Sequence, residues 1–217
     1  ESLPAIEEAI FAGVPVNVTL LFSCAQYCAA LEAYLRGIER RVQAGLDAHV
    51  ASVASVFVSR WDAAVKDKVP SALHNRLGLA VCAEVYAAEQ EMLNSPRWQV
   101  LRAAGARPQR LLWASTGTKD PAASDTLYVD ALVAPDSINT LPEKTLLAFA
   151  DHGHVKGVMQ ADAAAAQATI ALFAREGIDV EALALQLQHD GAEAFVKSWR
   201  QLLQRIADKS EGLAAAC

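Results

Sequence analysis

Four times in 217 residues, a short run of β-branched and apolar residues is followed by a longer stretch. No other feature constrains the chain as much. A strand that is apolar on both faces must be covered on both, and intervening helices supply the cover. The first run is "VPVNVTLLF" (14–22), and the segment after it sets Leu31, Tyr34, Leu35, Ile38 and Val42 on one helical face. The second is "VASVFVSR" (53–60), followed by a helix over 71–93 with Leu73, Leu77, Val81, Val85, Ala88 and Met92 in register. The third is "RLLWAST" (110–116), then a polar loop and a short helix, and "DALVA" (130–134) reads as a fourth, shorter strand.

Local signals bracket the helices. Pro4 opens a helix over 4–12 that Gly13 ends, and Gly45 ends the one after the first strand. Ser23 with Gln26, and Thr140 with Glu143, have the spacing of capping boxes, and Pro142 sits early in the helix that follows the second pair. Helices occupy 142–208, with breaks expected at Gly177 and Gly191. No low-complexity linker divides the chain, so 1–217 reads as a single domain.

Strands alternating with helices imply parallel pairing through right-handed crossovers. An open doubly wound sheet and a (β/α)₈ barrel both fit that pattern. Neither phosphate signature of the open sheets is present, neither G-x-G-x-x-G nor G-x-x-x-x-G-K-[ST]. The barrel is therefore the better reading, and four strands are half of one.

Composition narrows the function. The chain is 53% hydrophobic, much of it alanine, yet no stretch reaches the roughly 18–20 uncharged apolar residues that a spanning helix needs. A net charge of −6 with no basic run argues against a nucleic-acid partner. No basic stretch followed by an apolar one opens the sequence, which points to a cytoplasmic protein. The cysteines Cys24, Cys28, Cys82 and Cys217 join no Cys-His cluster and read as reduced thiols, so neither a metal nor a cofactor is implied. "DHGH" (151–154) reads as a solvated turn, and His49, His74 and His189 stand alone.

In a barrel the chemistry sits at the carboxyl ends of the strands. Strand one carries Asn17 and Thr19 on one side, because the side-chain period is two. Strand two carries Ser55 and ends in Ser59 and Arg60, and strand three ends in Ser115 and Thr116, followed by Gly117, Thr118 and Lys119. Hydroxyls beside an arginine and a lysine suit a phosphate monoester. The plainer alternative pairs Asn17 with Thr19 inside a barrel and Arg60 with Asp62 or a helix carboxylate.

The strings "GVPVNVTLLFSCAQY", "VASVFVSRWD", "GARPQRLLWASTGTKDP", "SDTLYVDALVAPDSINTLPEKTL" and "FVKSWRQLL" resemble transaldolase, in order and along nearly the whole chain. They look most like the bacterial branch with long helical insertions. The resemblance implies a (β/α)₈ barrel of the class I aldolase type, here its last four βα units plus the C-terminal helices. It also implies a lysine Schiff base that carries dihydroxyacetone from sedoheptulose 7-phosphate or fructose 6-phosphate to glyceraldehyde 3-phosphate or erythrose 4-phosphate. In the family's N-x-T motif, Asn17 falls on the residue that binds the hydroxyls of the transferred unit, and Thr19 on the one that holds the proton-relaying water. S-x-F-V-x-R assigns Ser55 to substrate hydroxyls and Arg60 to phosphate. Ser115 matches the phosphate serine. Its partner arginine in other branches is replaced by Gly117, with Lys119 the nearest base. The Schiff-base lysine and the acid/base carboxylates are expected on earlier strands, so the expected partners are sugar phosphates and the N-terminal half of the same enzyme. The chain alone is expected to be inactive. The alternative is a truncated relative that binds sugar phosphates without catalysis.

Overall fold

The computed structural model describes residues 2–155 and 157–214. Helix α1 (Leu3–Phe11) has Pro4 in its first turn, where a missing N–H costs no hydrogen bond. It buries Ile6 and Ile10 against α2 (Cys24–Gln43). The two helices come close because position 37 is glycine. A Cβ at Gly37 would lie 2.7 Å from the Ile10 Cβ.

The sheet contains β1 (Val16–Leu21), β2 (Ser52–Phe57), β3 (Gln109–Ala114) and β4 (Ile138–Asn139), all parallel, in the order β1-β2-β3-β4. Every spatial neighbour is the next strand in sequence. A doubly wound sheet reverses its strand order at a switch point, and this one does not. The winding is that of half a (β/α)₈ barrel. Ser55 opposes Leu112, which in turn opposes Ile138.

One face of the sheet is packed under helices, and Ala54, Val56, Leu111 and Trp113 on it are fully buried. The short α3 (Ser59–Val65) follows β2, and α2 packs against this sheet and against α4 (Leu77–Asn94), with α5 (Pro96–Ala103) alongside. On the other face Asn17, Thr19 and Arg110 are exposed. Asn17, Thr19 and Ser55 therefore share this second face, with Asn17 and Thr19 exposed and Ser55 buried.

Several expectations about local structure are corrected. Residues 130–134 do not form the fourth strand. They fall at the end of helix α6 (Leu127–Ala131) and in the loop beyond it. Thr126 begins that helix, its carbonyl accepting from the Val129 and Asp130 N–H groups and its hydroxyl donating to the Asp130 carboxylate at 2.8 Å. The true β4 is two residues at the sheet edge, too short for any periodicity to reveal. The helix expected over 71–93 begins only at Leu77, after a turn in which Asn75 takes a left-handed conformation (φ 58°). α5 went unrecognised although Ser95-Pro96 announces it. The Ser95 hydroxyl accepts from the Trp98 N–H at 3.2 Å.

The first capping box forms with a one-residue displacement. Ser23 accepts from the Gln26 N–H at 3.2 Å, while the Gln26 Oε1 accepts from the Phe22 N–H at 2.8 Å. The second does not form. The Thr140 hydroxyl donates to the Trp113 carbonyl at 3.0 Å, and Pro142 precedes α7 (Glu143–His152). Gly177 does separate α8 (Ala163–Arg175) from α9 (Val180–Ala214), but Gly191 lies inside α9 and breaks nothing. Along α9 the large side chains Phe195, Trp199, Leu202 and Ile206 form an apolar stripe, each about half exposed.

Candidate active site

β1 reaches the site through a bulge. Val18 opposes Ala54 and Leu21 opposes Val56, so Thr19 and Leu20 together face Ser55. Leu20 adopts φ 60°, which an L-residue avoids unless its surroundings compel it. The extra residue keeps Thr19 on the face that carries Asn17 and Ser55 and returns Leu21 to the helix-covered one. It also turns the Leu20 carbonyl toward α9, where it accepts from the Gln188 Nε2 at 2.9 Å.

Asn17 lies on the same face and opposes Val53. Its Oδ1 accepts a hydrogen bond from the Ser55 hydroxyl at 2.7 Å, so its partner is Ser55 and not Thr19. With the oxygen engaged, the two N–H donors of the Asn17 amide are left to point outward. The Thr19 hydroxyl has no hydrogen-bond partner among the described residues.

One step further along β2, Phe57 faces the same way as Ser55. The Arg60 guanidinium stacks over its ring, 5.0 Å from the centroid. Arg60 makes no ion pair among the described residues, and the alternative of an Arg60–Asp62 pair is excluded. Asp62 is turned inward and 4% exposed. It accepts from the Tyr128 hydroxyl at 2.8 Å and from the Leu77 N–H at 2.9 Å, capping α4. Burial pushes its carboxyl above the usual aspartate range, and these hydrogen bonds only partly counteract that. On its far side Arg60 borders α9. A Cβ at Gly191 would sit 3.2 Å from the Arg60 Nη1 and 2.7 Å from the Leu20 Cδ2, so glycine is what lets the helix cross here.

At the end of β3, Ser115 takes a left-handed conformation, φ 57°. Two contacts hold it there. Its hydroxyl lies 2.9 Å from the Ser59 hydroxyl, and its carbonyl accepts from the Ser59 N–H at 3.1 Å. Such a conformation costs about 1–2 kcal/mol for a residue with a Cβ and marks a backbone that its surroundings over-determine. Gly117 is not compelled by space, since a Cβ there would make only ordinary contacts with Pro142 and Thr145.

Lys119 enters a small cavity of about 120 Å³ lined also by Ser59, Lys66, Asn75 and Asp120. Lys66 pairs with Asp120 at 2.9 Å, and Asn75 donates to the other oxygen of that carboxylate at 3.1 Å. The Lys66 ammonium, with the Ala122 N–H and Asn75, draws the Asp120 carboxyl down to about 2. Lys66 and Ser59 thus belong to this end of the sheet, of which sequence pattern singled out only Ser59. The available signal was the K-D-K run following the second strand. Arg60 does not line this cavity; Ser59 links it to Ser115.

Other features fall outside the site. His152 is exposed and lies 2.8 Å from Asp125, which with Asp151 raises its pKa. Among the described residues no group of three His, Cys, Asp or Glu side chains is placed to hold a metal ion. No described helix is long and apolar enough to cross a membrane. No lysine lies on any described strand.

The family model for transaldolase/fructose-6-phosphate aldolase matches residues 1–206. The chain is 43% identical to a transaldolase of Frankia alni and 44% identical to one of Thermobifida fusca, in each case over 96% of this chain and 59% of the relative. A transaldolase of Mycolicibacterium smegmatis is 46% identical over 93% of this chain and 57% of the relative. The chain thus spans under three-fifths of the length of these relatives. It belongs to the transaldolase/fructose-6-phosphate aldolase family.

Proposed function

We propose that this family member supplies the last four βα units of a cytoplasmic transaldolase, as one domain over residues 1–217. The complete enzyme moves a dihydroxyacetone unit from sedoheptulose 7-phosphate or fructose 6-phosphate to glyceraldehyde 3-phosphate or erythrose 4-phosphate, through a lysine Schiff base. Its partners are sugar phosphates and the remaining barrel strands of the same enzyme, with no nucleic acid or membrane involved. The lysine and the acid/base carboxylates come from those remaining strands. The apolar stripe on α9 supports this reading, since it is buried only when further chain covers it.

One observation carries the assignment. Asn17 and Ser55 are hydrogen-bonded on the second sheet face, and Arg60, without an ion pair among the described residues, stacks next along it on Phe57. Because Ser55 occupies the Asn17 oxygen, the amide is oriented with its donors toward the bound sugar, and it grips hydroxyl oxygens of the dihydroxyacetone unit. Ser55 shares that task. Thr19, exposed and without a hydrogen-bond partner among the described residues, holds the water through which protons pass as the Schiff base forms and breaks. Arg60 offers the phosphate a planar pair of donors, and stacking on Phe57 fixes the plane before substrate arrives. Ser115, pinned by Ser59, presents its hydroxyl to the same phosphate, and Lys119 adds positive charge from the adjoining cavity.

Borohydride trapping tests the proposal. Fructose 6-phosphate and borohydride are added to the isolated chain, and to the same chain fused behind the amino-terminal part of a full-length relative. The fused protein is expected to gain the mass of a reduced dihydroxyacetone adduct on a lysine of the added part, and the isolated chain to gain nothing. An adduct on the isolated chain overturns the placement of the chemistry. A fused protein that binds phosphate yet forms no adduct favours the non-catalytic reading.

A further inference from the structure

α2 presents two cysteines that the proposed site does not use. Cys24 is its first residue and Cys28 lies one turn on, and their sulfur atoms are 3.9 Å apart. Cys28 is exposed and Cys24 partly so, whereas Cys82 is buried. Two fates compete for such a pair, a direct bond or a bridging atom.

The direct bond fits poorly. A disulfide needs its Cβ atoms about 3.5–4.5 Å apart, but residues four apart on a helix hold theirs at about 5–6 Å. Closing the bond means unwinding the first turn of α2. That turn is fastened by the Ser23 cap and by the Gln26 side chain on the Phe22 N–H. A bridging atom asks for less. A closed-shell cation binds thiolates at about 2.3 Å, and a tetrahedral angle between two such bonds sets the sulfurs about 3.8 Å apart. The helix holds the pair at chelating distance, not bonding distance.

The surroundings favour a cation. Glu84 of α4 near both thiols, Glu181 near Cys24 and Glu91 near Cys28 supply negative charge that opposes a bare thiolate and attracts the cation that would replace its proton. Glu84 and Glu181 also line a cleft of about 620 Å³ that reaches Ser23, next to the pair, and provides a way in from solvent. With no third ligating side chain in place among the described residues, the remaining coordination positions fall to water.

We propose that Cys24 and Cys28 form a solvent-open dithiolate site for a soft, thiophilic divalent cation of the zinc and cadmium class. Binding breaks two S–H bonds, forms two metal–sulfur bonds and releases two protons, with no electron transfer. The test uses cadmium as the probe, titrated into reduced protein carrying Cys217→Ser, so that only this pair and the buried Cys82 remain. The expected result is an ultraviolet thiolate-to-cadmium charge-transfer band that saturates at one ion per chain. Cys24→Ser or Cys28→Ser should each abolish it, and Cys82→Ala should leave it unchanged. A band that survives either serine substitution, or no saturable band at all, overturns the proposal. Rapid peroxide-driven closure of a Cys24–Cys28 disulfide with the α2 helicity intact also overturns it, because the geometric argument forbids that.

Discussion

Replacing Glu89 with glutamine should invert the usual cost of changing a buried residue, and should do so only at neutral and alkaline pH. Glu89 lies on α4, is 2% exposed, and its Oε2 has no hydrogen-bond partner among the described residues. Burial raises its pKa from 4.5 to about 7, against smaller opposing contributions from the Leu111 backbone and Gln90. The folded state therefore holds a proton that the unfolded chain gives up. Stability is fully present below the unfolded value, declines as pH rises between 4.5 and about 7, and then levels off. At about 1.4 kcal/mol per pKa unit, the loss is about 3 kcal/mol by pH 8. Glutamine keeps the shape and never ionises, so Glu89→Gln should leave stability nearly unchanged at pH 5 and raise it by about 2–3 kcal/mol at pH 8. Urea unfolding of both proteins at pH 5, 6, 7 and 8, with unchanged m-values, measures the difference. Parallel stability–pH curves for the two proteins would refute the reasoning, whatever their vertical offset.

Two further substitutions probe the site in the complete enzyme. Arg60→Ala should raise KM for fructose 6-phosphate by about one to two orders of magnitude, because a charge-assisted contact contributes about 1.5–3 kcal/mol. An unchanged KM in steady-state kinetics would count against a phosphate role. Gly191→Leu drives a side chain into Leu20 and Arg60, so it should lower stability by about 1–3 kcal/mol in urea unfolding and raise KM together with it. Wild-type values on both counts would mean that α9 does not hold Arg60 in place.

The strand-end residues were legible because a strand has a period of two and because barrel chemistry gathers at one end. That reasoning puts Asn17 and Thr19 on one side of the first strand and expects Ser55, Arg60 and Ser115 to converge with them at the strand ends. It misjudged which groups touch. Asn17 meets Ser55 across 38 residues and Ser59 meets Ser115 across 56, distances over which local pattern carries no information. Lys66 stayed hidden because a lysine in a loop looks the same whether it is solvated or, as here, paired with Asp120 in the cavity that Lys119 shares.

Local sequence by itself determined the alternation of strands and helices, the parallel sense of the sheet and several helix starts, since each depends on residues within a turn or a strand of one another. It misplaced β4, because two edge residues have no period and an alternating D-A-L-V-A suits the end of a short helix as well as a strand. Tertiary structure alone decided the bulge at Leu20, the strained Ser115, the freedom of Arg60 from Asp62 and the need for glycine at 191. Each arises where two separate elements are forced together. The cost of a left-handed leucine or serine, or of a helix crossing at contact distance, is offset only by neighbours that strand register brings into place.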